Sequence, residues 1–200
     1  MRRVIIDRVT SNYIVLWGGA GLAVGLATGW MARRLTSWRP VGLPLVSAST
    51  WAAVGAVGGG AAALLLGWWC ACLTCTDLAT RRLPNALTYT GAVGMLVYAT
   101  VVGDLSAGIV GGGVLCACYL AVHVASPRAF GAGDVKLAFT SGGLTGLAGD
   151  QAWMSAALLA PVLTGVVGLT YLALGRPQWT VPHGPSMCLA TLLALAAAST

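Results

Sequence analysis

Charge is what this sequence has least of. It holds no glutamate, a single lysine and five acidic residues in all, every one an aspartate. Charged residues make up 8% of the chain, against about 25% in an ordinary soluble domain. With 58% apolar residues and a mean hydropathy of +0.84, this excludes a water-soluble globular fold and describes a polytopic membrane protein. The eleven basic residues give a net charge of +6, but they gather in short polar breaks as loop anchors do. No basic stripe suited to a nucleic acid is present. Paired Cys-x2-Cys knuckles are also missing. Cys70, Cys72, Cys75, Cys116, Cys118 and Cys188 lie within or beside apolar runs and read as small buried hydrophobes. Cys70-x-Cys72-x2-Cys75 lacks the polar module of a zinc site, so no metal and no cofactor is expected.

What the chain does have is long apolar runs. Residues 1–12 are basic and polar, and 13–32 form a run long enough to span a bilayer. That run exceeds the ~7–15 residue apolar core of a signal peptide, so it reads as a span. Gly21, Gly25 and Gly29 recur every four residues and predict a close-packing helix face. Arg33, Arg34, Arg39, Pro40 and Pro44 break the pattern. The stretch 45–76 is too long for one average span: it is one tilted helix, or two short ones parted near Gly58-Gly59-Gly60. Further spans are expected at 86–102, 105–125, 135–148, 152–174 and 186–198. The expected fold is all-α, an integral membrane helical bundle of seven or eight transmembrane helices. Residues 1–59 form an amino-terminal membrane segment with its basic loop, and 60–199 a six-helix core.

The polar breaks set an orientation. Those at Arg81-Arg82, Arg128 and Arg176 carry base, whereas Gly103-Asp104 and Gly149-Asp150-Gln151 carry acid alone. The positive-inside rule puts the first three in the cytoplasm. Asp77 and Asp134 then share the cytoplasmic boundary, and Asp104 and Asp150 lie outside. The amino-terminal end is a tie. Seven spans put Arg2, Arg3 and Arg8 inside, and eight put Arg33, Arg34 and Arg39 there.

The acids nearest the basic breaks carry the chemistry. An ionised aspartate is costly at membrane depth and marks a functional site. Asp134 follows Gly131 and Gly133, which let the backbone bend and another segment approach. Taken singly, both acids have ordinary readings: Asp77 pairs with Arg81 across one turn, and Asp134 caps its own helix. Taken together, two close carboxylates share one proton, which provides an acid and a base for hydrolysis. A helix dipole favours a carboxylate in the first turn, which makes Asp134 the resting base and leaves the proton on Asp77. Arg81 and Arg82 oppose that order if the helix continues to them.

The motifs also carry a resemblance. Asp77, then Arg82-Leu83-Pro84-Asn85, then Gly131-Ala132-Gly133-Asp134-Val135-Lys136-Leu137, resemble the two signatures of the type IV prepilin peptidases. Val181-Pro182-His183-Gly184-Pro185 resembles a third, weaker motif, so the likeness runs over residues 60–199. It implies an intramembrane aspartic endopeptidase with Asp77 and Asp134 catalytic. Gly131, Gly133, Lys136, Pro84 and Asn85 form the supporting motif. The implied partners are a prepilin or pseudopilin precursor peptide and membrane lipid, with no nucleic acid. The implied location is the bacterial cytoplasmic (inner) membrane. The substrate's basic leader ends in glycine before an apolar residue and is cut at the cytoplasmic face. Its apolar stalk is expected among the spans, on glycine faces such as Gly108/Gly112 and Gly142/Gly146. Many relatives of this kind start outside and have eight helices, so the resemblance leans to eight.

Two departures stand out. Residues 33–50 contain no cysteine, where full-length members carry two knuckles associated with amino-terminal methylation. The short, peptidase-only form is therefore expected. His183 stands where the family usually has an aromatic apolar residue; it reads as a loop histidine, and His123 as a boundary or core one. Two other readings remain: a small membrane transporter relaying protons through Asp77 and Asp134, and a non-catalytic pilus or secretion assembly subunit.

Overall fold

Apolar runs this long, with their backbone groups cut off from water, form helices, and helices are all that the described residues contain besides turns. The computed structural model describes residues 2–35, 42–56, 60–127, 130–176 and 181–199. They form eight helices: α1 (Arg2–Leu35), α2 (Leu43–Ala56), α3 (Ala61–Thr80), α4 (Asn85–Val102), α5 (Leu105–Ala125), α6 (Ala132–Leu147), α7 (Asp150–Ala173) and α8 (Gly184–Ala198). The stretch 45–76 is thus two helices, not one tilted span. Of the expected breaks, Arg39, Pro40, Gly58, Gly59 and Arg128 lie outside the described residues. By length and composition α3, α4, α5 and α7 can each cross a membrane. Their outer faces keep Val101, Val124, Leu158 and Leu169 well exposed, a surface that suits lipid and not water.

The chain divides into two compact units, Met1–Ala79 and Thr80–Thr200. In the first, the glycine face of α1 packs on α2. A Cβ on Gly21 would stand 2.5 Å from the Ser47 carbonyl oxygen, and one on Gly25 2.6 Å from Pro44 Cα. Trp17 and Trp51 meet edge to face at 6.4 Å. α3 joins through Gly67, which faces the Thr50 methyl, and through Trp68, whose indole N–H donates to Thr28 Oγ1 at 3.2 Å.

In the second unit α6 is the central helix and touches α4, α5, α7 and α8. Its sequence shows why it can be: Gly142, Gly143 and Gly146 let neighbouring backbones come close. A Cβ on Gly142 would lie 2.5 Å from the Gly111 carbonyl oxygen, and one on Gly143 2.5 Å from Met95 Cε. Gly112 faces the Phe139 carbonyl in the same way. This corrects the expected use of Gly108/Gly112 and Gly142/Gly146. Those faces are consumed by packing α5, α6 and α4 together, so they are not open to a substrate's stalk. α7 and α8 meet along small residues, with Ala152, Ala156 and Ala194 buried together.

Candidate active site

α3 ends the first unit, and its last turn carries Asp77, buried at 5% exposure. The helix stops at Thr80, and Arg81 takes a left-handed conformation (φ 53°). For a non-glycine residue that conformation costs roughly 1–2 kcal/mol. The break ends the helix short of Arg81.

The rest of the first motif opens the second unit. Pro84 is the N-cap of α4 in extended conformation, and its carbonyl accepts from the N–H groups of Leu87 (3.0 Å) and Thr88 (3.1 Å). A proline costs little at a helix start, because N–H groups there have no helical partner. Asn85 is therefore the first residue of α4.

Asp134 sits in the first turn of α6, buried at 9% exposure. Its Oδ2 accepts from the Gly131 N–H at 2.8 Å, while its own N–H donates to the Gly131 carbonyl at 3.0 Å. The capping role read from the sequence is thus real, and it fixes the carboxylate's position at the helix start.

The Leu83-Pro84-Asn85 part of the first motif docks on the second motif within the second unit. Lys136 Nζ donates to Asn85 Oδ1 at 2.7 Å and lies 5.2 Å from the centre of the Tyr89 ring. One turn earlier, a Cβ on Gly133 would come within 2.9 Å of Leu83 Cβ, so only glycine lets Leu83 seat there. Of the sequence-predicted residues, the structure brings together Gly131 with Asp134 and Asn85 with Lys136. Pro84 and Gly133 set the two backbones that meet. Asp77 belongs to the other compact unit.

Reading the sequence missed a buried polar cluster beside Asp134. His183, the N-cap of α8, is 4% exposed. Its Nδ1 lies 2.6 Å from Thr164 Oγ1 in α7, and its Nε2 2.8 Å from Tyr119 Oη in α5. Thr164 gives its own proton to the Ala160 carbonyl at 3.1 Å, so it accepts from His183. The neutral ring then carries its proton on Nδ1, and Nε2 accepts from Tyr119. Phe130, one residue before Gly131, stacks against both rings, 4.5 Å from His183 and 4.9 Å from Tyr119. His123 Nδ1–H donates to the Phe130 carbonyl at 2.7 Å. Tyr119 also lies within electrostatic reach of the Asp134 carboxylate. The signals available were His183 in the third motif and Phe130 beside the second. Nothing local marks Tyr119 or Thr164.

Among the described residues no group of three or more histidine, cysteine or acidic side chains is arranged to hold a metal. Asp104 and Asp150 are exposed at helix starts, Asp104 capping α5 by accepting from the Ala107 N–H at 3.0 Å.

Residues 64–169 match the model of the type IV leader peptidase family. The matched span holds Asp77, the Leu83-Pro84-Asn85 turn and the whole Gly131–Leu137 motif, and stops short of His183. No curated protein and no solved structure matches the chain. The match covers more than half of the chain and both docked motifs: this membrane protein belongs to the type IV leader peptidase family and is a peptidase.

Proposed function

We propose that the protein is an intramembrane aspartic endopeptidase. It removes the basic leader of prepilin-like precursors at the cytoplasmic face of the bacterial inner membrane, with Asp77 and Asp134 as its acid–base pair. One observation carries this reading. Of the described acids, Asp104 and Asp150 are exposed, while Asp77 and Asp134 are buried, each at a helix end and each within its family motif. Burying a carboxylate among apolar helices is costly, and chains keep such groups where chemistry needs them.

In this reading the two carboxylates share one water. The ionised one takes a proton from the water as its oxygen attacks the scissile carbonyl carbon. The protonated one donates to the carbonyl oxygen, giving a neutral tetrahedral intermediate. Collapse breaks the C–N bond: the carboxyl that took the water's proton gives it to the departing amine, while the other carboxylate takes a proton back from a hydroxyl of the intermediate as the new carboxyl forms. Both products then carry ordinary termini and the carboxylates regain their starting state.

The test is cleavage of a pilin-like precursor with a basic leader ending in glycine. Asp77→Asn and Asp134→Asn are each expected to lower the rate by at least about 10²-fold while inserting normally. Asp104→Asn and Asp150→Asn are expected to cleave like the parent. Near-parent cleavage by either buried-site variant would refute the pair.

A further inference from the structure

We propose that His183 is a positioning residue of this peptidase: its ring backs Phe130 and so fixes the chain that enters Gly131 and Asp134. The proposal rests on the reading of Asp134 as catalytic and names a residue that the matched span does not reach.

The argument begins with cost. A buried imidazole is unfavourable in an apolar helix bundle unless both ring nitrogens have partners. Here both do, and they come from different helices: Tyr119 from α5 and Thr164 from α7. Two hydrogen bonds on opposite sides of a planar ring leave it little rotational freedom. The ring is therefore held in one plane, against a neighbour just ahead of α6 whose ring is tilted 50° to it. That neighbour is Phe130, whose ring centre is 4.5 Å away.

Phe130 is held twice over. Tyr119 and His183 contact its ring, and His123 holds its carbonyl at 2.7 Å. The next residue, Gly131, gives its N–H to the Asp134 carboxylate at 2.8 Å. Gly131 is exposed, has no side chain and cannot anchor itself by packing. Its carbonyl is held by the N–H groups of Asp134 and Val135, and on its other side the direction of its N–H is set by the residue before it. The Tyr119 hydroxyl that His183 accepts from also lies within electrostatic reach of Asp134. A ring that only filled space would need neither two polar partners nor a place beside this loop.

The experiment measures kcat and KM of purified variants on the same glycine-ended precursor, alongside their thermal unfolding. His183→Ala is expected to lower kcat by about tenfold to a hundredfold, with KM within about threefold of the parent, because a displaced carboxylate weakens the chemical step and leaves leader binding intact. His183→Phe paired with Tyr119→Phe restores the ring contact and removes the hydroxyl left without an acceptor. It is expected to recover part of the kcat that His183→Ala loses, the remainder being the share of the two hydrogen bonds that hold the ring. Phe130→Ala, at a half-buried position, carries the test if His183→Ala fails to accumulate, and its kcat is expected to fall to a similar degree.

Parent-like kcat in His183→Ala or in Phe130→Ala overturns the proposal. So does a rise in KM with kcat unchanged, which would make this a binding cluster, and so does a paired variant no better than His183→Ala. Asp134→Asn in the same assay keeps the two readings apart. Parent-like cleavage there removes the role of Asp134, whereas full loss there with parent-like His183→Ala removes only the role of His183.

Discussion

Lys136 donates a hydrogen bond to Asn85 over 2.7 Å, and in doing so ties the start of α4 to the start of α6 across 51 positions of sequence. The Leu83-Pro84-Asn85 part of the first motif and the second motif thus form one structural object in the second unit. Lys136 is also set 5.2 Å from the face of Tyr89, a cation–π distance. Lys136, half-buried, is thus engaged by two groups of the protein's own second unit.

Removing either end of that bond should therefore have the same effect. Lys136→Met and Asn85→Ala are each expected to reduce cleavage severalfold, and the double variant to be no worse than the worse single. A double-mutant cycle on kcat/KM should return a coupling of about 1 kcal/mol. Additive losses would mean that the two side chains act separately.

The seam between α5 and α6 makes a stability prediction with its own control. Gly142→Leu places a side chain where the Gly111 carbonyl and Leu115 stand, at 2.5 Å and 2.6 Å from the first added atom. The expected cost is about 1–3 kcal/mol, read as a lower unfolding temperature in detergent or as loss of membrane-inserted protein. Gly94→Ala in α4 meets nothing within 4 Å and is expected to be neutral or slightly stabilising. Equal effects of the two substitutions would contradict the packing described.

Asp104 makes a prediction in pH. The Ala107 N–H, and after it the Ser106 hydroxyl, hold its carboxyl below the ordinary aspartate value. A depressed carboxylate contributes stability that is fully present above the unfolded-state value, and that is lost as the pH falls through the folded one. Asp104→Asn keeps an oxygen for the cap but does not titrate. The stability gap between parent and variant should therefore stay level above about pH 5 and narrow as the pH falls below about 4, in unfolding temperatures measured side by side. A gap that stays constant would show that the cap gains nothing from the charge.

Orientation is testable from outside the cell. In a background freed of its six cysteines, Arg81→Cys and Arg176→Cys are expected to resist an impermeant thiol reagent in intact cells. Gln151→Cys, on the exposed first turn of α7, is expected to react. Labelling at position 81 from outside would reverse the membrane face proposed for cleavage.

The sequence by itself determined a good deal, and for local reasons. A chain with 8% charged residues and runs of apolar length has to build membrane helices, and glycine or polar breaks mark their ends within a few residues. Arg82-Leu83-Pro84-Asn85 and Gly131–Leu137 carry the family likeness in contiguous residues, so no fold was needed to see them. The helix start at Asn85 and the cap at Asp134 follow from chemistry within one turn. Packing decided the rest. Whether Gly142 faces a partner helix or a substrate is the same question to a sequence, because a glycine pattern only permits close approach and does not say by what. Lys136 and Asn85 meet across 51 positions, Tyr119 and His183 across 64, and neither pair lies in one stretch of chain. Such partnerships are selected by how helices cross, and a one-dimensional pattern holds no record of that. Tertiary structure alone turned His183 from a loop residue into a buried, doubly bonded neighbour of Phe130.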